Sequence, residues 1–212
     1  MGILVAIEGL DGAGKRTIVS RIAAAATERG ARTSTVAFPR YGESITADIA
    51  SEALHGEHGD LPDSVYGMAL LFALDRAAAG AAIKAALREY DLVLCDRYVA
   101  SNAAYSAARL REDVTRSPVV DWVADLEFGR FGLPIPDHQL LLGVPPDVAM
   151  ARASDRAITD VDRPVDHYER DGDLQSAVYR AYSDLVSARW MSDWSHAADD
   201  AAVSAVIDQL TV

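Results

Sequence analysis

A glycine-rich segment near the N-terminus contains the clearest functional motif of the sequence, a pattern typical of phosphate binding. Residues 9–15 match the opening of the Walker A phosphate-binding pattern, up to and including its lysine. Glycines let successive backbone N–H groups point at phosphate oxygens, and Lys15 adds a full positive charge. A turn used only for tight packing is the alternative. The residues predicted to bind phosphate are Gly9, Gly12, Ala13, Gly14, Lys15, Arg16 and Thr17.

The position after the lysine departs from this pattern. A Ser or Thr usually stands there to hold Mg²⁺, whereas this chain has Arg16, with Thr17 next. A guanidinium group has no lone pair to offer a metal ion. We therefore expect carboxylates and phosphate oxygens to hold the metal, with Thr17 as a further candidate. Arg16 is expected to lie against phosphate oxygens.

A second phosphate-related pattern lies near the middle of the chain. An apolar segment, residues 92–95, is followed by the carboxylate of Asp96. This is the Walker B arrangement, which places an acid at the edge of a sheet beside the phosphate-binding loop. Arg97 follows directly and can face a second substrate that bears a phosphate. The N-K-x-D motif with which GTPases read their base is absent from the sequence, which weakens a molecular-switch interpretation.

Hydrophobic patterns indicate the elements that must position these residues. Strands are predicted at residues 3–8, 34–38, 92–95 and 139–144, with a weaker one within 191–197. Helices are predicted over residues 18–29, 45–55, 64–90, 100–109, 119–131, 170–190 and 201–210, with one more beginning at Pro146. Strands that alternate with helices predict an α/β fold with a parallel sheet covered on both faces. Residues 191–197 are more polar than a buried strand should be.

Composition and charge limit the classes of protein to which the chain can belong. Its 212 residues suit one domain, predicted to span residues 1–212. The net charge of −12 argues against a nucleic-acid scaffold, because phosphodiester backbones are held by basic surfaces. We expect no membrane span and no secretory signal, since neither pattern is present. The lone cysteine, Cys95, suits a reducing compartment, so we expect a cytoplasmic protein.

Further motifs follow in order along the chain. They are Phe38-Pro39-Arg40-Tyr41, Phe72 to Arg76, Ser101 to Tyr105 and Tyr168-Glu169. With the Walker motifs, they give the chain a resemblance to thymidylate kinases, in particular those of mycobacteria and related actinobacteria, from about residue 3 to about residue 185. The resemblance implies a P-loop nucleoside-monophosphate kinase fold, with a five-stranded parallel sheet and a lid segment. It also implies transfer of the γ-phosphate of ATP to dTMP, giving dTDP and ADP in dTTP synthesis, with Mg²⁺ and as a homodimer.

Three side chains carry the implied recognition of thymine. Phe72 would stack on the ring, and Arg76, one helical turn further on, would reach a base carbonyl. Asn102 has an amide that can match the donor and acceptor edge of thymine. The alternatives are a core aromatic at the first position, a surface arginine paired with Asp75 or a glutamate at the second, and a helix N-cap at the third.

The resemblance also assigns residues to the phosphate, the sugar and the metal. Arg40 and Arg97 would hold the dTMP phosphate, since planar guanidinium groups suit phosphate oxygens. Tyr105 would crowd a ribose 2′-hydroxyl and so favour the deoxy substrate. The residues predicted to bind dTMP are Asp11, Phe38, Pro39, Arg40, Phe72, Arg76, Arg97, Ser101, Asn102, Tyr105 and Tyr168. The predicted metal ligands are Asp11, Asp96 and Glu169, with pairing to Arg170 or Arg163 as the alternative for Glu169.

Residues 152–166 occupy the position of the lid in this family, a mobile cover that excludes water from phosphate transfer. Arg152 and Arg156 are four positions apart and project from one helical face. We expect Arg156 to reach the transferring phosphate, with Arg152 and Arg163 assisting. An ordinary solvated loop is the alternative, because this segment has fewer arginines than the lids it resembles. The predicted catalytic residues are Asp11, Lys15, Arg97 and Arg156.

Two other functions stay open on the sequence alone. One is a kinase for another acceptor, such as thymidine, UMP or CMP. Arg40 and Arg97 argue instead for an acceptor that already bears a phosphate, and Tyr105 argues for deoxyribose. The other is a non-catalytic P-loop protein that senses nucleotides, against which the intact Walker residues Lys15 and Asp96 count. Release of ADP that depends on dTMP would separate both from a thymidylate kinase.

Overall fold

The computed structural model describes residues 1–159 and 167–210, without the side chains of residues 156–159, 169, 200, 206, 207, 209 and 210. The strands of this part of the chain are β1 (Ile3–Glu8), β2 (Thr33–Ala37), β3 (Leu92–Asp96), β4 (His138–Leu142) and β5 (Asp193–Ala197). They form one five-stranded sheet in the order β2-β3-β1-β4-β5. Every neighbouring pair is parallel, so the predicted α/β fold is confirmed.

Helices connect and cover the strands. The described helices are α1 (Lys15–Glu28), α2 (Ile45–Leu54), α3 (Val65–Glu89), α4 (Val99–Leu110), α5 (Pro118–Ala124), α6 (Pro146–Thr159), α7 (His167–Arg170), α8 (Gly172–Ser187) and α9 (Asp200–Leu210). Side-chain caps fix two of their starting points. Ser64 Oγ accepts from the Gly67 N–H at 3.0 Å before α3, and Asp171 Oδ1 accepts from the Leu174 N–H at 2.9 Å before α8. Such caps satisfy backbone donors that a helix start leaves free.

Alternating side chains of the central strand β1 enter two cores on opposite faces of the sheet. Leu4 and Ala6 pack in a cluster that contains buried side chains of α3, α4, α5 and α8. Val5 and Ile7 pack in a second cluster, which contains buried side chains of α1 and α9. The two-residue period of a strand produces this division. The sheet is therefore covered on both faces, and its edge with the strand carboxyl ends is left to bind ligands.

The helix predicted over residues 119–131 changes its winding halfway. α5 ends at Ala124 and is followed by a π-helical turn, Asp125–Arg130. The Phe131 N–H donates to the Leu126 carbonyl, five positions earlier, at 2.9 Å. A π turn holds more residues than an α turn, so its side chains point in directions that a continuous α-helix would not give them. One result is that Glu127 is fully buried.

The polarity of the last strand follows from its place in the sheet. β5 pairs with β4 on one side and forms the edge of the sheet on the other. Within this strand Ala197 alone is buried, because an edge strand keeps contact with solvent. His138 Nε2 and Ser195 Oγ lie 2.9 Å apart across the pair. The segment that is too polar for a central strand is therefore suited to this position.

The apolar character of the helices and the position of the single cysteine bear on the environment expected for the chain. Among the described residues, no helix has both the length and the apolar character needed to cross a bilayer. Cys95 lies in β3 as a buried free thiol. Burial raises the pKa of this thiol, so it is held in the neutral form within the core.

Candidate active site

A large cleft opens where the carboxyl ends of β1, β2 and β3 meet. Its volume of about 1440 Å³ exceeds the roughly 300–1,000 Å³ of a site for one small ligand, which leaves room for two substrates. The predicted site residues that line it are Asp11, Gly12, Gly14, Lys15, Arg16, Phe38, Pro39, Arg40, Phe72, Arg76, Asp96, Arg97, Ser101, Asn102, Tyr105, Arg152 and Tyr168. The fold thus brings together side chains that are widely separated in sequence.

The phosphate loop requires glycine for two separate reasons. Gly12 and Gly14 have φ angles of 82° and 88°, in the left-handed region that favours glycine. A Cβ atom on Gly12 would also lie 2.0 Å from the carbonyl oxygen of Ala149 in α6. Packing therefore explains part of the glycine pattern. The same close approach joins the loop to the helix that leads into the predicted lid.

Lys15 lies across this loop as a buried cation. Its Nζ donates to the carbonyl oxygens of Leu10 at 2.7 Å and Gly9 at 3.1 Å. Burial, followed by repulsion from the Arg97 guanidinium, lowers the pKa of Lys15 to about 8, while nearby carboxylates act in the opposite direction. Because an anion favours the charged form of an amine, phosphate oxygens in the loop would raise this pKa again.

Three of the predicted phosphate-binding positions do not line the main cleft. Gly9 and Ala13 pack behind the loop, where a Cβ on Gly9 would lie 3.1 Å from the Leu142 carbonyl oxygen. Thr17 is exposed and lines a shallow depression on the surface of α1. Arg16 borders both this depression and the main cleft. The roles of these residues toward phosphate stay predictions.

Arg97 is the centre of the charged network in the cleft. Its Nη2 lies 2.8 Å from Asp11 Oδ2 in an ion pair, and its Nη1 donates to Ser101 Oγ at 3.2 Å. The Tyr105 hydroxyl donates to the same Asp11 oxygen at 3.3 Å. Burial alone would lower the pKa of Arg97, but Asp11 together with Tyr105, Tyr182 and Glu8 outweighs burial and raises this pKa well above the usual value. Within the described residues, Nη2 is held by the charge of Asp11 and has no aligned hydrogen-bond acceptor.

A buried glutamate absent from the sequence predictions supports this network. Glu8 is the last residue of β1 and is fully buried. It accepts hydrogen bonds from the Tyr98 N–H at 2.8 Å, the Ser101 hydroxyl at 2.6 Å and the Tyr182 hydroxyl at 2.9 Å. These contacts tie β1 to α4 and α8, and so fix the helix start beside Arg97. A charged residue at the end of an apolar strand was the available signal in the sequence.

Arg40 is oriented by a second buried acid, Asp75. Its Nε donates to Asp75 Oδ1 at 2.8 Å, and its backbone N–H donates to Asp75 Oδ2 at 2.9 Å. Its Nη2 donates to the Asp75 carbonyl oxygen at 2.8 Å. Asp75 therefore serves Arg40 and not the adjacent Arg76. The two guanidinium bonds, one to the carboxylate and one to the backbone carbonyl of Asp75, hold the guanidinium plane in one orientation at the cleft wall.

Arg76 and Asn102 share one buried partner, Glu127. Arg76 donates to it from Nε at 2.5 Å and from Nη2 at 2.7 Å. Asn102 Nδ2 donates to Glu127 Oε1 at 2.8 Å and to the Ala69 carbonyl oxygen at 2.9 Å. Arg76 is thus a buried arginine and not a surface one. The N-cap alternative for Asn102 is wrong, because α4 begins at Val99.

Aromatic rings complete the wall of the cleft. Tyr105 and Tyr168 stack with their ring centroids 6.0 Å apart and an interplanar angle of 23°. The Tyr168 hydroxyl accepts a hydrogen bond from Arg109, whose guanidinium lies 4.9 Å from the ring centroid. Phe72 packs against the core cluster of Tyr168 and also lines the cleft. It therefore combines the core role and an accessible face.

The predicted metal ligands and lid are described in part. Asp11 and Asp96 present carboxylates in the cleft, and oxygen ligands of this kind suit a divalent cation. Arg152 lines the cleft from α6. The side chains of Arg156 and Glu169 and the whole of Arg163 lie outside the described residues. The predictions made for these three residues are therefore untested.

The loop after β1, the acid that ends β3 and the buried arginines of the cleft together define a P-loop kinase of the nucleoside-monophosphate type. The profile of the thymidylate kinase family matches residues 7–192. The chain belongs to this family. It is 53% identical over 192 residues to the thymidylate kinase of Mycobacterium tuberculosis strain H37Rv, a match that covers 91% of this chain and 89% of that protein.

Two more distant relatives agree with this assignment. The thymidylate kinase of Bifidobacterium longum strain NCC 2705 is 32% identical over 190 residues, covering 88% of this chain and 85% of that protein. The probable thymidylate kinase of Thermococcus gammatolerans is 34% identical over 175 residues, covering 80% and 79% respectively. The predicted family, enzyme class and dTMP kinase function are confirmed. Thymidylate kinases are phosphotransferases that use ATP with a divalent metal.

Proposed function

We propose that Arg76 and Asn102 read the base of dTMP, while the phosphate loop presents Mg·ATP to its phosphate. The observation that carries this proposal is the pairing of a donor and an acceptor at one point of the cleft. After its bonds to Glu127, Arg76 keeps the N–H groups of Nη1, and Asn102 keeps its Oδ1. Thymine presents the complementary pattern, a carbonyl oxygen beside a ring N–H. Cytosine presents an amino group beside a bare ring nitrogen and would oppose both groups.

The ring and the sugar are assigned to two aromatic residues. Phe72 supplies a face on which the base stacks, a contact worth about 1–3 kcal/mol by analogy with other base stacking. Tyr105 stands beside Asp11, with its hydroxyl 3.3 Å from the carboxylate. The sugar would lie between Arg97 and the two side chains that contact the base, Arg76 and Asn102. It would meet Tyr105 there, and the tyrosine ring would crowd a 2′-hydroxyl.

The acceptor phosphate is assigned to Arg97 and Arg40. Arg97 lies buried in the cleft, where its Nη2 forms an ion pair with Asp11 and has no aligned hydrogen-bond acceptor among the described residues. Arg40 is held in a fixed plane by Asp75, which leaves its Nη1 free of that pair. Guanidinium groups prefer phosphate oxygens, and two of them need an acceptor that already carries a phosphate. A nucleoside without a phosphate would leave Arg40 and Arg97 with no phosphate group of the acceptor to bind.

The donor side is assigned to the phosphate loop, the lid and the metal. The backbone of residues 12–15 and Lys15 would cradle the ATP phosphates, with Arg152, Arg156 and Arg163 covering them. Mg²⁺ would be held by Asp11, Asp96 and Glu169, and when bound it neutralises charge on the transferring phosphates. Asp11 and Asp96 fit this role, because both lie in the cleft and both act on the pKa of Lys15.

We further propose a cytoplasmic homodimer whose subunits each fold as one domain over residues 1–212, with the lid at about residues 152–166. The buried free thiol of Cys95 suits a reducing compartment. Tyr66 and Leu70 lie one turn apart on α3 and stay 43% and 39% exposed, so this helix face leaves side chains accessible to a partner subunit. An interface through this face would be isologous.

The decisive experiment measures ADP release from Mg·ATP with dTMP, dUMP, thymidine, UMP and CMP supplied separately. The proposal expects strong dependence on dTMP, no reaction with thymidine, and weak reaction with the two ribonucleotides. A preference for thymidine or for a cytosine nucleotide would overturn the roles of Arg97 and Asn102. Silence with all five acceptors would contradict catalysis by this chain.

A further inference from the structure

Glu127 is a buried carboxylate to which phosphate transfer assigns no direct task. It is fully buried and lies in the π-helical turn Asp125–Arg130, where it accepts hydrogen bonds from Arg76 and Asn102. It does not line the cleft itself. The groups that it contacts, Arg76 and Asn102, do line the cleft. Glu127 therefore acts on a ligand only through other side chains.

Glu127 fixes the orientation of the Asn102 side-chain amide through hydrogen bonding. Both N–H bonds of Asn102 Nδ2 are taken, one by Glu127 Oε1 at 2.8 Å and one by the Ala69 carbonyl oxygen at 2.9 Å. Both partners are obligatory acceptors, because a carboxylate bound to an arginine and a backbone carbonyl carry no proton. A rotated amide would set Oδ1 against two oxygens. Oδ1 is consequently the atom that Asn102 keeps for the cleft.

The same carboxylate fixes Arg76 by two bonds, of 2.5 Å from Nε and 2.7 Å from Nη2. Burial alone would lower the pKa of Arg76, but the charge and hydrogen bonds of Glu127, with smaller contributions from Glu8 and Tyr98, raise this pKa above the usual value. Arg76 is therefore held as a cation in a fixed plane. One acid thus sets a donor and an acceptor side by side with a defined polarity.

We propose that Glu127 is the positioning residue that sets base specificity, because it fixes Arg76 as the donor and Asn102 as the acceptor toward the nucleobase. This inference rests on the base-reading roles proposed above. It predicts that the cleft selects bases with a carbonyl beside a ring N–H, whatever the substituent at the 5 position. dUMP and dCMP differ in this edge and in nothing else, so their comparison isolates the effect of Glu127.

The test compares Glu127→Gln with the wild type for dTMP, dUMP and dCMP under saturating Mg·ATP. A glutamine has a single acceptor oxygen for the three N–H groups that the Glu127 carboxylate accepts, and it sets its own NH2 group against at least one of them. The shared anchoring of Arg76 and Asn102 is therefore weakened. We expect KM for dTMP to rise by about tenfold or more with a smaller change in kcat. We expect the ratio of kcat/KM for dUMP over dCMP to fall by about tenfold or more. An unchanged ratio in the folded variant would overturn the proposal.

The matched control is Asp125→Asn, which removes one negative charge from the same turn. Asp125 is exposed and pairs with Arg130 at 2.9 Å, away from the base-reading side chains. This variant should keep the dUMP-to-dCMP ratio of the wild type. A fall in the ratio as large as that of Glu127→Gln would mean that the turn acts through charge or stability, which would also overturn the proposal.

A second variant and an NMR measurement also test the role of Glu127. If Glu127→Gln does not fold, Glu127→Asp keeps the charge but shortens the side chain, and should lower the same ratio in the same direction. In the ligand-free protein, NMR should find the side-chain amide protons of Asn102 protected from solvent exchange, with protection lost on substitution of Glu127. Unprotected amide protons in the wild type would refute the positioning role. Failure of the wild type to use dTMP would instead refute the proposed base-reading site.

Discussion

Lys15 is the residue at which burial and function oppose each other. Phosphate binding needs its positive charge, yet burial and Arg97 lower its pKa to about 8 in the ligand-free cleft. Above that pH the ammonium loses its proton, so the free enzyme loses affinity for ATP. Bound phosphates favour the charged form and move the loss to higher pH. We expect kcat/KM for ATP to fall above about pH 8 while kcat holds to higher pH, as measured by steady-state pH profiles. Coincident profiles would contradict this.

The two lysines of the chain offer a matched pair of substitutions. Lys15→Ala should reduce turnover by about 10²–10³-fold or more, since it removes a cation from the transferred phosphates. Lys84 lies exposed on α3, and Lys84→Ala should leave turnover unchanged. Coupled ADP release measures both variants, and circular dichroism should show that both are folded. Near-normal turnover in Lys15→Ala would refute the phosphate-loop assignment.

Tyr105 can be tested as the gate against ribonucleotides. Tyr105→Ala should raise the ratio of kcat/KM for UMP over dUMP by about tenfold, because removal of the ring gives space to the 2′-hydroxyl. Tyr105→Phe keeps the ring and removes the hydroxyl that donates to Asp11 at 3.3 Å, and should keep the discrimination. Equal ratios in all three proteins would exclude a steric gate. An equal rise in Tyr105→Phe and in Tyr105→Ala would assign discrimination to the hydrogen bond.

Much of the site can be predicted from motifs with fixed residue spacing. The contacts of the buried acids cannot be predicted in this way. Walker patterns are local, so Lys15 and Asp96 can be identified without a structure. Glu127 meets Arg76 from 51 positions away, and no local pattern records such a contact. Asp75 was considered as a partner of Arg76, its neighbour in sequence, yet it faces Arg40. Periodicity indicates which face of a helix is buried, but it does not reveal which charges meet inside.

The close contact between Gly12 of the phosphate loop and Ala149 of α6 contributes to stability, and substitutions can distinguish this contribution from the effect of backbone strain at glycine. Gly12 and Gly30 have nearly equal φ angles, 82° and 87°, but a Cβ meets the Ala149 carbonyl oxygen at 2.0 Å only at Gly12. Gly30→Ala should cost about 1 kcal/mol of unfolding free energy from strain alone. Gly12→Ala should cost clearly more and weaken ATP binding, because α6 must move. Urea unfolding measures the stability of both variants, and ATP titration measures their affinity for ATP. Equal losses of stability in Gly12→Ala and Gly30→Ala would refute a structural role for the contact between Gly12 and α6.

The elements themselves were predictable where their patterns are strong. Buried parallel strands are continuous apolar runs, and β1 and β3 were located to within a residue. The helix predicted over residues 119–131 was right in position but wrong in winding, since the π-helical turn begins at Asp125. A π turn differs from an α turn by a single residue, which the spacing of apolar residues does not resolve. The edge strand β5 was predicted only weakly, because its side chains are mostly polar and give no continuous apolar run.

At the scale of the whole molecule, the exposed apolar face of α3 provides a test of assembly. Leu70→Glu places a charge in the proposed interface and should convert the dimer into a monomer at micromolar concentration, because a buried unpaired charge is costly. Ile135→Glu is the control, since Ile135 is also exposed and lies outside α3. Light scattering after size exclusion measures both masses. A dimer that tolerates Leu70→Glu would place the interface elsewhere.

The sharing of one carboxylate by Arg76 and Asn102 also constrains how such a cleft can evolve. A lineage that exchanged its pyrimidine would need coordinated replacements at positions 76, 102 and 127, since replacement of Arg76 or Glu127 alone leaves the other buried charge without its ion-pair partner. The intermediates would lose stability before any new preference appeared. Base preference in this molecule is therefore protected by folding itself, and drift at these three positions is opposed even when nucleotide supply would reward a change.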